Sequence, residues 1–65
     1  MYFVFYQTSD VFAAEERLQN AGINVEVVPT PVQDKAYCGV CAQVNTTDRE
    51  NALVQLKGMD YIVVE

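Results

Sequence analysis

The order of six short apolar segments constrains the fold of this chain more than any other feature. Their periods read strand, helix, strand, strand, helix, strand, with strands at 2–6, 23–28, 40–45 and 61–65 and helices from about Asp10 and Thr47. This order predicts an α+β, ferredoxin-like βαββαβ sandwich, in which two helices cover one face of a four-stranded antiparallel sheet. At 65 residues, a single domain over 1–65 is expected.

The segment ends carry recognisable signals. Thr8, Ser9 and Asp10 offer side-chain acceptors to the free N–H groups of the first helix, and Gly22 suits the left-handed residue that closes it. Thr47 and Glu50 have the spacing of a capping box. Pro29-Thr30-Pro31 ends the second strand and leads into a predicted loop at Val32–Tyr37.

One face of the predicted sheet remains uncovered by helices. An apolar face of this kind usually meets a partner or a second copy, so a homodimer through the open sheet face is a candidate assembly. In the last strand, alternation places Ile62 and Val64 inward. The expected open face comprises Tyr2, Val4, Tyr6, Val28, Cys41, Tyr61 and Val63.

The charge balance excludes several classes of partner. The formal net charge is −5, and the four cationic side chains form no run. No nucleic acid is expected, because the chain lacks the basic patch that binds phosphate backbones. No membrane association is expected either, since no apolar stretch approaches the ~20 residues of a span and no basic segment precedes a signal-like one. A cytoplasmic protein is therefore expected.

The chemistry-bearing segment is Cys38-Gly39-Val40-Cys41. A close cysteine pair in a reducing cytosol indicates reactivity or metal binding more than a structural disulfide. Gly39 leaves room for a partner to approach Cys38, and Cys41 could attack a mixed disulfide or persulfide formed on Cys38. Cys38 is thus the candidate nucleophile and Cys41 a candidate resolving thiol.

Competing interpretations of the pair remain open. Both cysteines could be small buried hydrophobes. Zinc and iron–sulfur sites normally need four ligands, and the chain has two cysteines and no histidine, so neither a metal nor another cofactor is expected. A thioredoxin-type CxxC opens a helix, whereas this one opens a strand.

Topology predicts where Cys38 lies. A split strand-helix-strand crossover brings the end of the second strand beside the end of the first, so Cys38 is expected near Thr8 and Ser9. Free N–H groups at that helix start favour an anionic sulfur, while Asp10 opposes it. Lys35 is the one cation of the predicted loop.

The motif Pro29-Thr30-Pro31, followed after six residues by Cys38-Gly39, resembles that of the selenium/sulfur carrier protein-like family of small bacterial proteins. The likeness extends over nearly the whole chain and includes the opening at 2–8 and the helix stop at 21–23. It implies that Cys38 carries sulfur or selenium between donor and acceptor proteins. Family members usually have a basic residue after the PTP motif and serines before CG, where this chain has Val32 and 35–37.

Three functions follow as hypotheses. The first is a carrier that accepts sulfur or selenium on Cys38 as a persulfide or selenylsulfide, an accessory role more than that of a stand-alone enzyme. The second is a dithiol-disulfide redox protein that cycles Cys38 and Cys41. The third is a non-enzymatic interaction module that uses the open sheet face.

Overall fold

The computed structural model describes residues 1–31 and 34–65, so two positions of the predicted loop, Val32 and Gln33, lie outside the described residues. A 3₁₀ turn at Thr46–Asp48 precedes the second helix. The regular elements are β1 (Tyr2–Phe5), α1 (Thr8–Asn20), β2 (Val25–Pro29), β3 (Val40–Val44), α2 (Arg49–Gln55) and β4 (Tyr61–Val64).

The four strands form one antiparallel sheet in the order β2-β3-β1-β4. With one helix in each strand-to-strand crossover, this is the predicted ferredoxin-like α+β fold. The prediction of fold class is confirmed. β2 is an edge strand, which explains how Pro29 remains in the sheet opposite Val40 although it has no N–H to donate.

The core lies between the sheet and the two helices. Each helix turns small and aliphatic side chains toward the same sheet face, because residues three and four apart share one side of a helix. The buried members are Met1, Phe3, Phe5, Val11, Ala14, Leu18, Ile23, Ala42, Val44, Ala52 and Leu56. None of the helices within 1–31 and 34–65 has the length and apolarity needed to cross a bilayer.

The helix ends agree only in part with the sequence signals. α1 closes as predicted: Gly22 has φ 76°, and its N–H and that of Ile23 donate to Gln19 and Leu18 at 3.0 Å each, which is a Schellman motif. Its start is two residues earlier than expected, with Gln7 at the N-cap and no side-chain capping bond. The predicted capping box at Thr47 and Glu50 was wrong. A 3₁₀ turn precedes α2, and no side chain makes a capping hydrogen bond at the start of the turn or of the helix.

The face assignment of β4 was wrong. Register pairs Ile62 with Val4 and Val64 with Tyr2, which places these two residues on the open face. Tyr61 and Val63 pack instead against the core. The Tyr61 ring lies edge-on to Phe3 with centroids 5.2 Å apart, so aromatic packing accompanies this register.

The other strands of the open face follow the prediction. Tyr2, Val4, Val28 and Cys41 share that face through the β1–β3 and β2–β3 pairings. Tyr6 lies just beyond the end of β1 and is exposed. The homodimer through this face stays a prediction.

Candidate thiol site

Cys38 lies at the end of β1, immediately before β3. Its N–H donates to the carbonyl oxygen of Phe5, the last residue of β1, at 3.0 Å. Its own carbonyl oxygen accepts a hydrogen bond from the Thr30 hydroxyl at 2.8 Å. The predicted position beside the end of the first strand is confirmed, and the backbone of Cys38 is held from both sides.

The hydrogen bond to Phe5 lies outside the regular register between β1 and β3. That register pairs Val4 with Cys41, and its continuation would place Val40 opposite Phe5. The Phe5 carbonyl accepts from the N–H of Cys38, two residues before Val40. This bond ties the segment that precedes β3 to the end of β1.

The PTP motif lies directly against the CG pair. Pro29 pairs with Val40, and the Thr30 N–H donates to the Gly39 carbonyl at 3.0 Å, which extends the β2–β3 ladder by one step. Pro31 follows as an exposed residue. The six-residue spacing between the motifs therefore closes a loop whose two ends are hydrogen-bonded to each other.

Gly39 is exposed and borders open space. A Cβ placed on it would meet no atom within 4 Å apart from its two chain neighbours, and its φ is not in the left-handed region. Neither packing nor backbone conformation inside the chain requires glycine here. Gly39 therefore places no side chain next to Cys38, at a position that is exposed.

The Cys38 side chain is half-buried and packs against the edge of the core on the helix-covered side of the sheet. Its Sγ donates to the Val40 carbonyl oxygen at 3.0 Å. This bond needs the Sγ proton, and it sets the rotamer of the reduced Cys38 side chain.

Cys41 has a different environment. It is fully buried on the opposite sheet face, opposite Val4 and Val28, and its Sγ lies 3.8 Å from the Pro29 carbonyl oxygen. Burial raises the pKa of the Cys41 thiol. A hydrogen bond with Thr30 lowers this pKa in part, and the charge of Cys38 raises it further. Both cysteines are free thiols, and the CGVC segment does not bring them to one face.

The described part of the loop before Cys38 is ordered by a local turn. The Asp34 carboxylate accepts from the Ala36 N–H at 2.9 Å, and its carbonyl accepts from the Tyr37 N–H at 3.1 Å. The Tyr37 ring stacks on Tyr6 with centroids 5.0 Å apart. Lys35 is exposed in this turn, so its ammonium group is available to a partner.

The Tyr6–Tyr37 stack was not predicted as part of the site. It fixes the residue before Cys38 to the residue after β1, and Tyr6 stays 49% exposed. Desolvation first, and then the hydrogen bond with Tyr6, raises the pKa of Tyr37 above its ordinary 10.0. The available sequence signal was the position of Tyr6 at the end of a strand that topology places beside Cys38.

Thr8 and Ser9 form the exposed first turn of α1, three residues after the Phe5 that binds Cys38. Asp10, expected to face the thiol, lines a cleft with Arg17 and Asp60 between α1 and the turn that precedes β4. That cleft is on the side of α1 that faces the α2–β4 connection. The structure thus places Asp10 at this cleft, whereas the sequence had predicted that it faces the Cys38 thiol.

Comparison with known proteins gives one family. The family described as "Putative Se/S carrier protein-like" matches residues 1–63, and the chain belongs to it. The comparisons with curated proteins and with solved structures gave no match. Across 1–31 and 34–65, no three His, Cys, Asp or Glu side chains are grouped so as to hold a metal ion.

Proposed function

We propose that this protein carries sulfur or selenium on the Sγ of Cys38, as a persulfide or a selenylsulfide, between a donor and an acceptor protein. The observation that carries the proposal is the way Cys38 is held in a chain of the Se/S carrier protein-like family. Its backbone is fixed by Phe5 and Thr30, while the neighbouring Gly39 leaves open space.

This geometry suits exchange between two proteins more than catalysis on a small molecule. Cys38 is partly exposed at a sheet end and its backbone is fixed, so a cysteine on another protein's loop can approach it. Thiol exchange requires access along the line of the bond that breaks, and the absence of a side chain at the exposed Gly39, next to Cys38, favours such access. The exposed Lys35 and Tyr6 lie on chain segments beside the same sulfur and could contact the partner.

The transfer balances without an added oxidant or reductant. The Cys38 thiolate attacks the terminal sulfur of a donor persulfide, a new S–S bond forms, and the old S–S bond breaks with the donor thiolate as leaving group. The carrier then holds Cys38–S–SH. A nucleophilic thiolate of the acceptor attacks the terminal sulfur in turn, and Cys38 leaves as the thiolate. Selenium is transferred by the same steps from a donor perselenide.

The proposal needs only one thiol. Cys41 lies fully buried on the other sheet face, so the proposal does not use it as a nucleophile. We therefore assign Cys41 a packing role and place the reaction in a reducing compartment such as the cytoplasm. The dithiol redox function predicted from CGVC would require the two thiols to meet.

The experiment is sulfur loading followed by mass measurement. Reduced protein is incubated with a cysteine desulfurase and cysteine, and the intact mass is measured before and after treatment with dithiothreitol. We expect the mass of one added sulfur, lost on reduction, and peptide mapping should place it on Cys38.

Two variants serve as matched controls for this experiment. Cys38→Ser should take up no sulfur although Cys41 is still present, whereas Cys41→Ser should load as the native chain does. Loading of Cys38→Ser to the native level, or no loading of the native protein by any persulfidated donor, would reject carriage on Cys38.

A further inference from the structure

Thr30 makes two hydrogen bonds to the reactive segment. Its N–H donates to the Gly39 carbonyl at 3.0 Å, as expected for one more step of the β2–β3 ladder. Its hydroxyl donates to the Cys38 carbonyl at 2.8 Å, and no ladder requires this second bond. The Thr30 side chain therefore adds a contact to Cys38 that the strand pairing does not require.

The effect of this bond depends on the bond from the other strand. The Cys38 N–H is already held by the Phe5 carbonyl at 3.0 Å. With the carbonyl held by Thr30 as well, both peptide groups that flank the Cα of Cys38 are fixed. The position of Sγ then depends on the χ1 torsion, which selects among three staggered rotamers.

We propose that Thr30 is a positioning residue for sulfur transfer, whose hydroxyl fixes the Cys38 peptide so that Sγ meets the donor's S–S bond in line. This inference rests on the proposed carrier function and names the residue that orients its sulfur. Protein-to-protein exchange depends on such alignment, because the donor cysteine approaches on a surface that cannot rotate freely. A small reagent can approach the same sulfur from any open direction.

The hydroxyl can be removed at nearly constant shape. Thr30→Val keeps the branched side chain and the backbone N–H but cannot donate to Cys38. Thr30→Ser keeps the donor and removes the methyl group. Thr47→Val is the matched control, since Thr47 is an exposed residue of the 3₁₀ turn, remote in sequence from the PTP and CG motifs.

The test compares two rates in each variant. Transfer from a persulfidated cysteine desulfurase is followed by intact mass over a range of carrier concentrations, which separates maximal rate from half-saturation. Alkylation of Cys38 by iodoacetamide is followed by peptide mapping. Thr30→Val should lower the maximal transfer rate by about two- to tenfold, the factor expected from one neutral hydrogen bond. Its alkylation rate should stay within about twofold of the native one, as misalignment affects only the oriented reaction.

Thr30→Ser should restore transfer, and Thr47→Val should leave both rates unchanged. Native transfer rates in Thr30→Val, equal losses of transfer and alkylation, or failure of Thr30→Ser to rescue would each overturn the positioning role. A native protein that accepts no sulfur from the donor rejects the carrier function itself, and with it this role. A loss of transfer that is confined to Thr30→Val supports the positioning role and leaves the carrier function intact.

Discussion

Replacing Gly39 by alanine separates the needs of the fold from those of the site. A Cβ at Gly39 meets no atom within 4 Å beyond its two chain neighbours and the backbone there has no left-handed φ, so the folded state accommodates it without strain. Alanine also reduces the freedom of the unfolded chain, which stabilises by about 0.4–1 kcal/mol where the native conformation is compatible. We expect Gly39→Ala to be at least as stable as the native protein.

Gly22 provides the matched comparison. It also borders open space, but its φ is +76°, in the left-handed region. A residue with a Cβ costs about 1–2 kcal/mol in that conformation. In a domain of this size each kcal/mol lowers Tm by about 4–8 °C, so Gly22→Ala should melt clearly below Gly39→Ala.

In sulfur loading the order of the two variants should be the reverse of their order in Tm, with Gly22→Ala loading faster than Gly39→Ala. If the partner approaches over Gly39, the added methyl group of Gly39→Ala displaces the reacting sulfurs and should slow transfer from a persulfidated donor by about tenfold or more. Gly22→Ala should load at the native rate below its Tm. Thermal unfolding by circular dichroism and loading by intact mass measure the two effects. A Gly39→Ala protein that is strongly destabilised, or stable and loaded at the native rate, would refute this account of Gly39.

Three further predictions concern packing and pH. Cys41→Ser puts a more polar hydroxyl group at a fully buried position, and urea unfolding should show a loss of about 1–3 kcal/mol; an unchanged midpoint would contradict its burial. The raised pKa of Tyr37 favours the neutral phenol in the folded state, so that contribution to stability is present below pH 10 and is lost as pH rises through the folded pKa. Tyr6→Phe keeps the ring but removes the hydroxyl, so it should lower the pKa of Tyr37 part of the way toward 10.0, and an unaltered residue-resolved NMR titration would argue against the Tyr6 hydroxyl as a contributor. Val63→Asp should destabilise the chain far more than Val64→Asp, as chemical denaturation can measure, and equal losses would contradict the register of β4.

The sequence was sufficient for the order and type of the elements, because alternation and helical spacing are strong in most of them. β4 shows where that signal fails. All four residues from Tyr61 to Val64 are apolar or aromatic, so either alternate pair could have faced the core. The choice depends on the pairing of Phe5 with Tyr61, a contact between distant parts of the chain that no local pattern contains.

The candidate site was likewise predictable in place but not in detail. Topology alone put Cys38 beside the end of β1. The hydrogen bond from the Cys38 N–H to the Phe5 carbonyl joins distant parts of the chain, and no local pattern predicts it. The separation of the two thiols onto opposite faces could not be read from the CxxC spacing, since the same spacing serves helices, loops and strands.

The mode of discharge tests the claim of a single working thiol most directly. Native protein and Cys41→Ser are loaded with sulfur, freed of donor, and mixed with an acceptor that has one reactive thiol, while intact masses are followed with time. We expect both proteins to lose their sulfur to the acceptor at the same rate and to return to the mass of the reduced thiol form. Discharge of the native protein to a Cys38–Cys41 disulfide, with slower release from Cys41→Ser, would contradict carriage by Cys38 alone.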